Sequence, residues 1–127
     1  MAATRGDQLT IRSAQLRVLA EGARSDFENR MMRHLAKYFP EKCEGKTEST
    51  LLEEVRKCVQ SAGENGIVKE QDVCLYTDAL IISGQVDGVC LPWAIEIMRN
   101  SAKRGPSATA SLLYDVAFAG YRPPTTG

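Results

Sequence analysis

The sequence predicts an all-α fold: a single-domain bundle of about five helices led by one long N-terminal helix. Three observations carry this. Apolar residues recur at three- and four-residue spacing along most of the chain. The breaks between those stretches fall at Gly-Lys, Gly-Glu-Asn-Gly, Gly-Gln-Val-Asp-Gly and Pro-Pro sequences, which are turn and helix-stop signals. The one strand-like run, Leu80-Ile81-Ile82, has no second such segment to pair with, so a helix is the better solution there.

Residues 1–8 are expected to form a loose leader, with Leu9-Thr10-Ile11 a short extended arm. From Ser13 the helical period takes over. Leu16, Leu19, Ala20, Ala23, Phe27, Met31, Leu35 and Tyr38 form one stripe, and Arg17, Glu21, Arg24, Glu28 and Arg33 form the opposite face. Taken whole, Ser13 to Phe39 makes a helix about 40 Å long. Gly22 and the Ser25-x-x-Glu28 capping pattern both interrupt it in principle. The stripe stays in phase past them, which favours one helix bent near Gly22, and Pro40 stops it. A second helix follows a polar connection, capped by Thr47 or Ser49. Its apolar face is Leu51, Leu52, Val55, Cys58, Val59 and Ala62, and it ends at Gly66 with Ile67 folding back. Glu70 to Ser83 is apolar nearly all round and should be the central, buried helix. Gly84 stops it, Pro92 opens a fourth helix to about Arg99, and Asn100 to Gly105 is a basic loop. A fifth helix runs from Pro106 or Ser107 to Ala119. The single helical domain thus covers residues 9–120, and 121–127 form a mobile tail.

Composition narrows function mainly by exclusion. A chain of 127 residues with 43% hydrophobic and 25% charged residues is ordinary for one globular domain. Its 16 basic and 16 acidic residues cancel, giving no electrostatic case for nucleic acid or a membrane surface. The charge is segregated, however. Residues 1–39 carry a net +3 and residues 40–78 a net −4, a pattern that suits internal pairing or a homodimer. No apolar run approaches the ~18 residues that span a bilayer, and the opening residues have no apolar signal core. A cytoplasmic protein with reduced thiols is expected.

No residue pattern points to chemistry. Cys43, Cys58, Cys74 and Cys90 include no C-x-x-C pair, and the one histidine, His34, is far from them in sequence. Structural zinc sites normally show ligands in close pairs, so no metal and no cofactor are expected. Asp87 has only Gln85 as a companion, too little for a calcium loop, and Gly84, Gly88 and Pro92 explain the segment as a turn. Glu70 and Asp72 suit a helix start. His34 lacks, in sequence, the nucleophile or orienting carboxylate that a general base needs. The phosphate-loop, serine-elbow and zinc-protease motifs are absent, and no enzyme is predicted. A thiol-dependent activity of Cys58 or Cys74 is the weaker alternative. The long first helix, rich in large side chains, is the best candidate for a protein-binding surface, with Phe27, Arg30, Met31, His34 and Tyr38 as contacts.

Phe27-Glu-Asn-Arg-Met31, His34-Leu35 and Phe39-Pro40, then Gly66-Ile67, Asp72-Val73 and Tyr76, and finally Gly84, Asp87 and Pro92-Trp93-Ala94 form a pattern over roughly residues 10–118. It resembles a group of small, largely uncharacterised proteobacterial proteins. Their genes often lie beside type VI secretion spike, PAAR and toxic-effector genes. The resemblance implies a non-enzymatic accessory factor, an adaptor or co-chaperone that helps load an effector. Its partner would be the effector or an effector chaperone. The alternative in the same genetic setting is a cytosolic immunity protein that neutralises a toxin.

Overall fold

The computed structural model describes residues 21–121. The expected leader, the extended arm, the helix upstream of Glu21 and the tail beyond Tyr121 lie outside the described residues. Among those described, the chain forms six α-helices and one short 3-10 turn, with no strand. The all-α, single-domain expectation holds.

Helix α1 spans Glu21–Tyr38. Phe27, Met31 and Leu35 recur every four residues and are all buried, the spacing that puts side chains on one helical face. Gly22 and Ser25 lie inside the helix, so the Ser25 capping pattern does not start a new one. The described part of α1 is 18 residues long, and α2, Glu48–Glu64, is 17. It ends because Pro40 follows. A residue before proline is pushed out of the helical region, and Phe39 has φ −135°. Pro40–Lys42 then make the 3-10 turn.

Thr47 caps α2, its hydroxyl oxygen accepting from the Thr50 N–H at 3.0 Å. Leu51, Val55, Cys58, Val59 and Ala62 are buried. At the far end Ile67 N–H donates to Ala62 O at 2.8 Å and Gly66 N–H to Gly63 O at 3.1 Å, with Gly66 at φ +77°. This is the paired hydrogen-bond closure that a left-handed glycine permits.

Helix α3, Glu70–Ser83, has the predicted bounds and the predicted centrality. Nine of its residues are buried. It packs most extensively on α6 (Pro106–Ala119) and also against α2 and α1. Gly84, at φ +73°, closes it in the same way as Gly66 closes α2, with Gln85 N–H on Leu80 O at 2.8 Å.

The segment Gly84–Leu91 is held by one side chain. Gln85 is 2% exposed. Its Oε1 accepts from the N–H groups of Cys90 and Leu91, both at 2.9 Å, and its Nε2 donates to Ser83 Oγ at 2.7 Å. It therefore satisfies amides just before α4, Pro92–Arg99, which otherwise lack partners at a helix start. Asp87 points outward and accepts from Lys57 Nζ at 3.0 Å. The turn reading of this segment is correct, with Gln85 as its brace.

Two expectations need correction. The basic loop after Arg99 contains a one-turn helix α5, Ser101–Arg104. Asn100 O and Ser101 O accept backbone hydrogen bonds from Arg104 and Gly105, and the Arg104 guanidinium donates to Ile97 O at 2.9 Å. Glu28, placed on the water-facing side of helix one, is 3% exposed. Its carboxylate accepts from Arg56 Nε of α2 at 3.1 Å, so an ion pair, and not solvent, satisfies it.

Candidate functional site

Four of the five residues singled out in the first helix share one feature. Phe27, Arg30, Met31 and His34 line a groove of about 490 Å³ between α1 and the start of α3, where Glu70 and Cys74 face them. Phe27 and Met31 are core side chains, Met31 only 2% exposed, and they form the groove's floor. Of the surface and groove contacts expected on this helix, these two lie at the groove, beneath its rim. Arg30 forms the rim. Its guanidinium holds the Glu70 carboxylate through two bonds, Nη1 to Oε1 at 3.0 Å and Nη2 to Oε2 at 2.8 Å, the fork geometry that arginine favours. Tyr38 stands apart from the groove and is 56% exposed.

At the end of the groove, three side chains of different chemistry meet. Cys74 and Asp78 lie one turn apart on α3 and so share a face. His34 reaches them from α1. His34 Nε2 is 2.8 Å from Asp78 Oδ2, and Cys74 Sγ is 3.9 Å from the same nitrogen and 4.0 Å from the same oxygen. Burial raises the Asp78 carboxyl to about 6, with the His34 hydrogen bond pulling the other way. Its second oxygen, Oδ1, is buried with no hydrogen-bond partner among the described residues. Burial, reinforced by Asp78, pushes the Cys74 thiol up to about 12, against a small opposing effect of Arg30.

A cysteine, a histidine and an aspartate invite comparison with a nucleophilic triad, and the geometry does not fit one. In a triad the imidazole takes the nucleophile's proton on one nitrogen and is oriented through the other. Here carboxylate and thiol meet the same nitrogen. The thiol is also held in its protonated form, whereas reactive cysteines have lowered values. The cluster's plain chemical capacity is to present a nitrogen, a sulfur and an oxygen donor to one point.

The sequence signal for this cluster was partial. Cys74 and Asp78 stand at i, i+4, a visible spacing, but Asp78 sits inside the most apolar run of the chain. The arrival of His34 depends on how α1 lies against α3, which no local pattern encodes.

A second feature begins at His34. Its ring lies 5.0 Å from that of Tyr38 and 6.2 Å from that of Phe39. Phe39 meets Tyr121 and Phe118 edge-on at 5.2 and 6.4 Å, and Phe118 stacks on Tyr114 at 5.5 Å. The C-terminal ends of α1 and α6 thus share a continuous aromatic surface. Phe39 is buried beneath it, and Tyr38 and Phe118, the latter 48% exposed, stand at its surface.

Among the described residues no helix is long and apolar enough to cross a membrane. No protein-family model matches the chain, and neither a curated protein nor a solved structure gives a significant match.

Proposed function

We propose that this chain is a non-enzymatic accessory protein that binds another protein through the aromatic surface shared by α1 and α6. The carrying observation is the pair of exposed rings Tyr38 and Phe118: Phe118 rests on Phe39, Tyr114 and Tyr121, and Tyr38 on His34. Aromatic side chains on a rigid base are the usual anchors of protein interfaces, since they bury much area for little lost freedom. Arg33 and Lys37 are exposed on the same helix, and the Lys37 ammonium lies 5.1 Å from the Tyr38 ring centre. The matching occupant is a segment with an apolar face and acidic flanks. The sequence resemblance makes that occupant a type VI secretion effector or its chaperone, and the role that of an adaptor in the cytoplasm.

The test compares capture by the wild-type chain with capture by the Tyr38→Ala/Phe118→Ala double variant from a host that encodes the secretion system. The reading requires that a secreted effector or its chaperone is recovered by the wild type and lost by the variant, with helicity and melting unchanged. Equal capture by both, or recovery of the chain alone, overturns it.

A second reading, a cytosolic immunity protein, draws on the exposed acids Glu53 and Glu64 of α2, which suit a basic toxin site. Protection of cells expressing the toxin separates the two roles. An immunity protein rescues growth, and an adaptor is required for export instead.

A further inference from the structure

We propose that His34, Cys74 and Asp78 form a binding site for a divalent zinc-like ion, with the fourth coordination position open to the groove between α1 and α3. The three donor atoms already converge, lying within 4.8 Å of one another. Zinc bonds of about 2.0–2.3 Å at tetrahedral angles put ligand atoms about 3.4–3.6 Å apart. The observed separations bracket that range: 2.8 Å for nitrogen to oxygen, and 3.9 and 4.0 Å for sulfur to each. Opening the His34–Asp78 contact by roughly half an ångström, and closing on the sulfur by rather less, makes the site.

The donor set selects the ion class. One imidazole, one thiolate and one carboxylate suit zinc or cobalt(II), and do not suit calcium or magnesium, which take oxygen ligands. Asp78 supplies the second, independent sign. It is a buried carboxylate with only one oxygen engaged, on Oδ2, while Oδ1 lacks a partner. A buried carboxylate normally has both oxygens satisfied, and a cation beside Oδ2 would balance the charge that this one is left with. Access is provided by the groove, whose walls include His34 and Cys74. Three protein ligands and one open position is the arrangement of zinc sites that hold a water or an outside donor.

The proton balance is definite. The Cys74 S–H bond breaks, its proton passes to solvent, and a metal–sulfur bond forms. His34 Nε2 gives up any hydrogen it shares with Asp78, and the neutral ring carries its hydrogen on Nδ1. The His34–Asp78 hydrogen bond is replaced by two bonds to the ion. Binding therefore releases protons and weakens as pH falls.

Reduced, metal-stripped protein is titrated with cobalt(II), which reports thiolate ligation as a near-ultraviolet charge-transfer band and tetrahedral geometry as intense visible bands. About one equivalent should saturate both signals, and zinc should displace the cobalt. The Cys43→Ser/Cys90→Ser variant must keep the band, and Cys74→Ser must lose it. Asp78→Asn, which keeps the shape and a hydrogen bond to His34, should weaken zinc at least about tenfold. Absence of a thiolate band in the wild type overturns the proposal, as does its loss in the Cys43/Cys90 variant or an unchanged affinity in Asp78→Asn. If Cys74→Ser fails to fold, peptide mapping after alkylation decides on the wild type. Zinc must protect Cys74, and protection of another cysteine alone refutes the site.

Discussion

Replacing Gln85 by methionine tests whether one side chain fixes the α3–α4 connection. Methionine keeps the length and much of the volume, so the cavity contribution is small. What is lost is three hydrogen bonds, at 2.9, 2.9 and 2.7 Å. At about 1 kcal/mol each the loss is about 3 kcal/mol. The Cys90 amide belongs to an exposed residue and turns to water, whereas that of half-buried Leu91 does so poorly. The net expectation is about 2–3 kcal/mol. Urea unfolding followed by far-ultraviolet circular dichroism should show a lower midpoint with an unchanged slope, and the melting temperature should fall by about 10 °C. A loss under about 1 kcal/mol for Gln85→Met would mean that the glycine closures alone hold the turn.

Met31→Asp should unfold the protein, since it puts a charge on a side chain 2% exposed; a native-like spectrum and melt would refute the burial of that face. Arg56→Ala should cost about 1–2 kcal/mol by stranding the Glu28 carboxylate, discounted from a fully buried pair because Arg56 itself is exposed. Glu28→Gln in the Arg56→Ala background should recover part of that loss, and a double variant no more stable than the single would sink the ion-pair account. Thiol labelling of metal-free native protein near neutral pH should modify exposed Cys90 first, and Cys58 and Cys74 last. Burial holds those two thiols at about 12, so fast labelling of either contradicts the packing.

Much of the fold was legible because its boundaries are chemical events. Pro40, Thr47, Gly66, Gly84, Pro92 and Pro106 each act on the backbone within a few residues, and each does what its chemistry demands. The all-apolar circumference of α3 similarly has one solution, burial. Features that depend on a partner far along the chain were not legible. Glu28 belongs to a polar pattern on α1, and only the approach of Arg56, 28 residues on, turns it inward. Helix α5 has no apolar period to announce it, because its four residues are stabilised by bonds back to Ile97 and Asn100. The side chains singled out on the first helix divide by depth: Phe27 and Met31 serve the core, His34 enters the polar cluster, and Arg30 and Tyr38 are exposed. Gln85 was dismissed as a weak ligand, and its true work, accepting two amide hydrogens, is invisible in composition.

The placement of α3 between α2 and α6 has a consequence for how the domain opens. Its amides meet solvent only when a neighbouring helix departs, so their hydrogen–deuterium exchange should track global unfolding. The last residues of α1 and α6 include Tyr38 and Phe118, which stand exposed at the rim, so amides there should exchange faster than those of α3. A ligand seated on those turns binds the folded state, so it should slow exchange there and, by the same mass action, in α3. One labelling experiment thus reads engagement at the rim and its stabilisation of the whole domain.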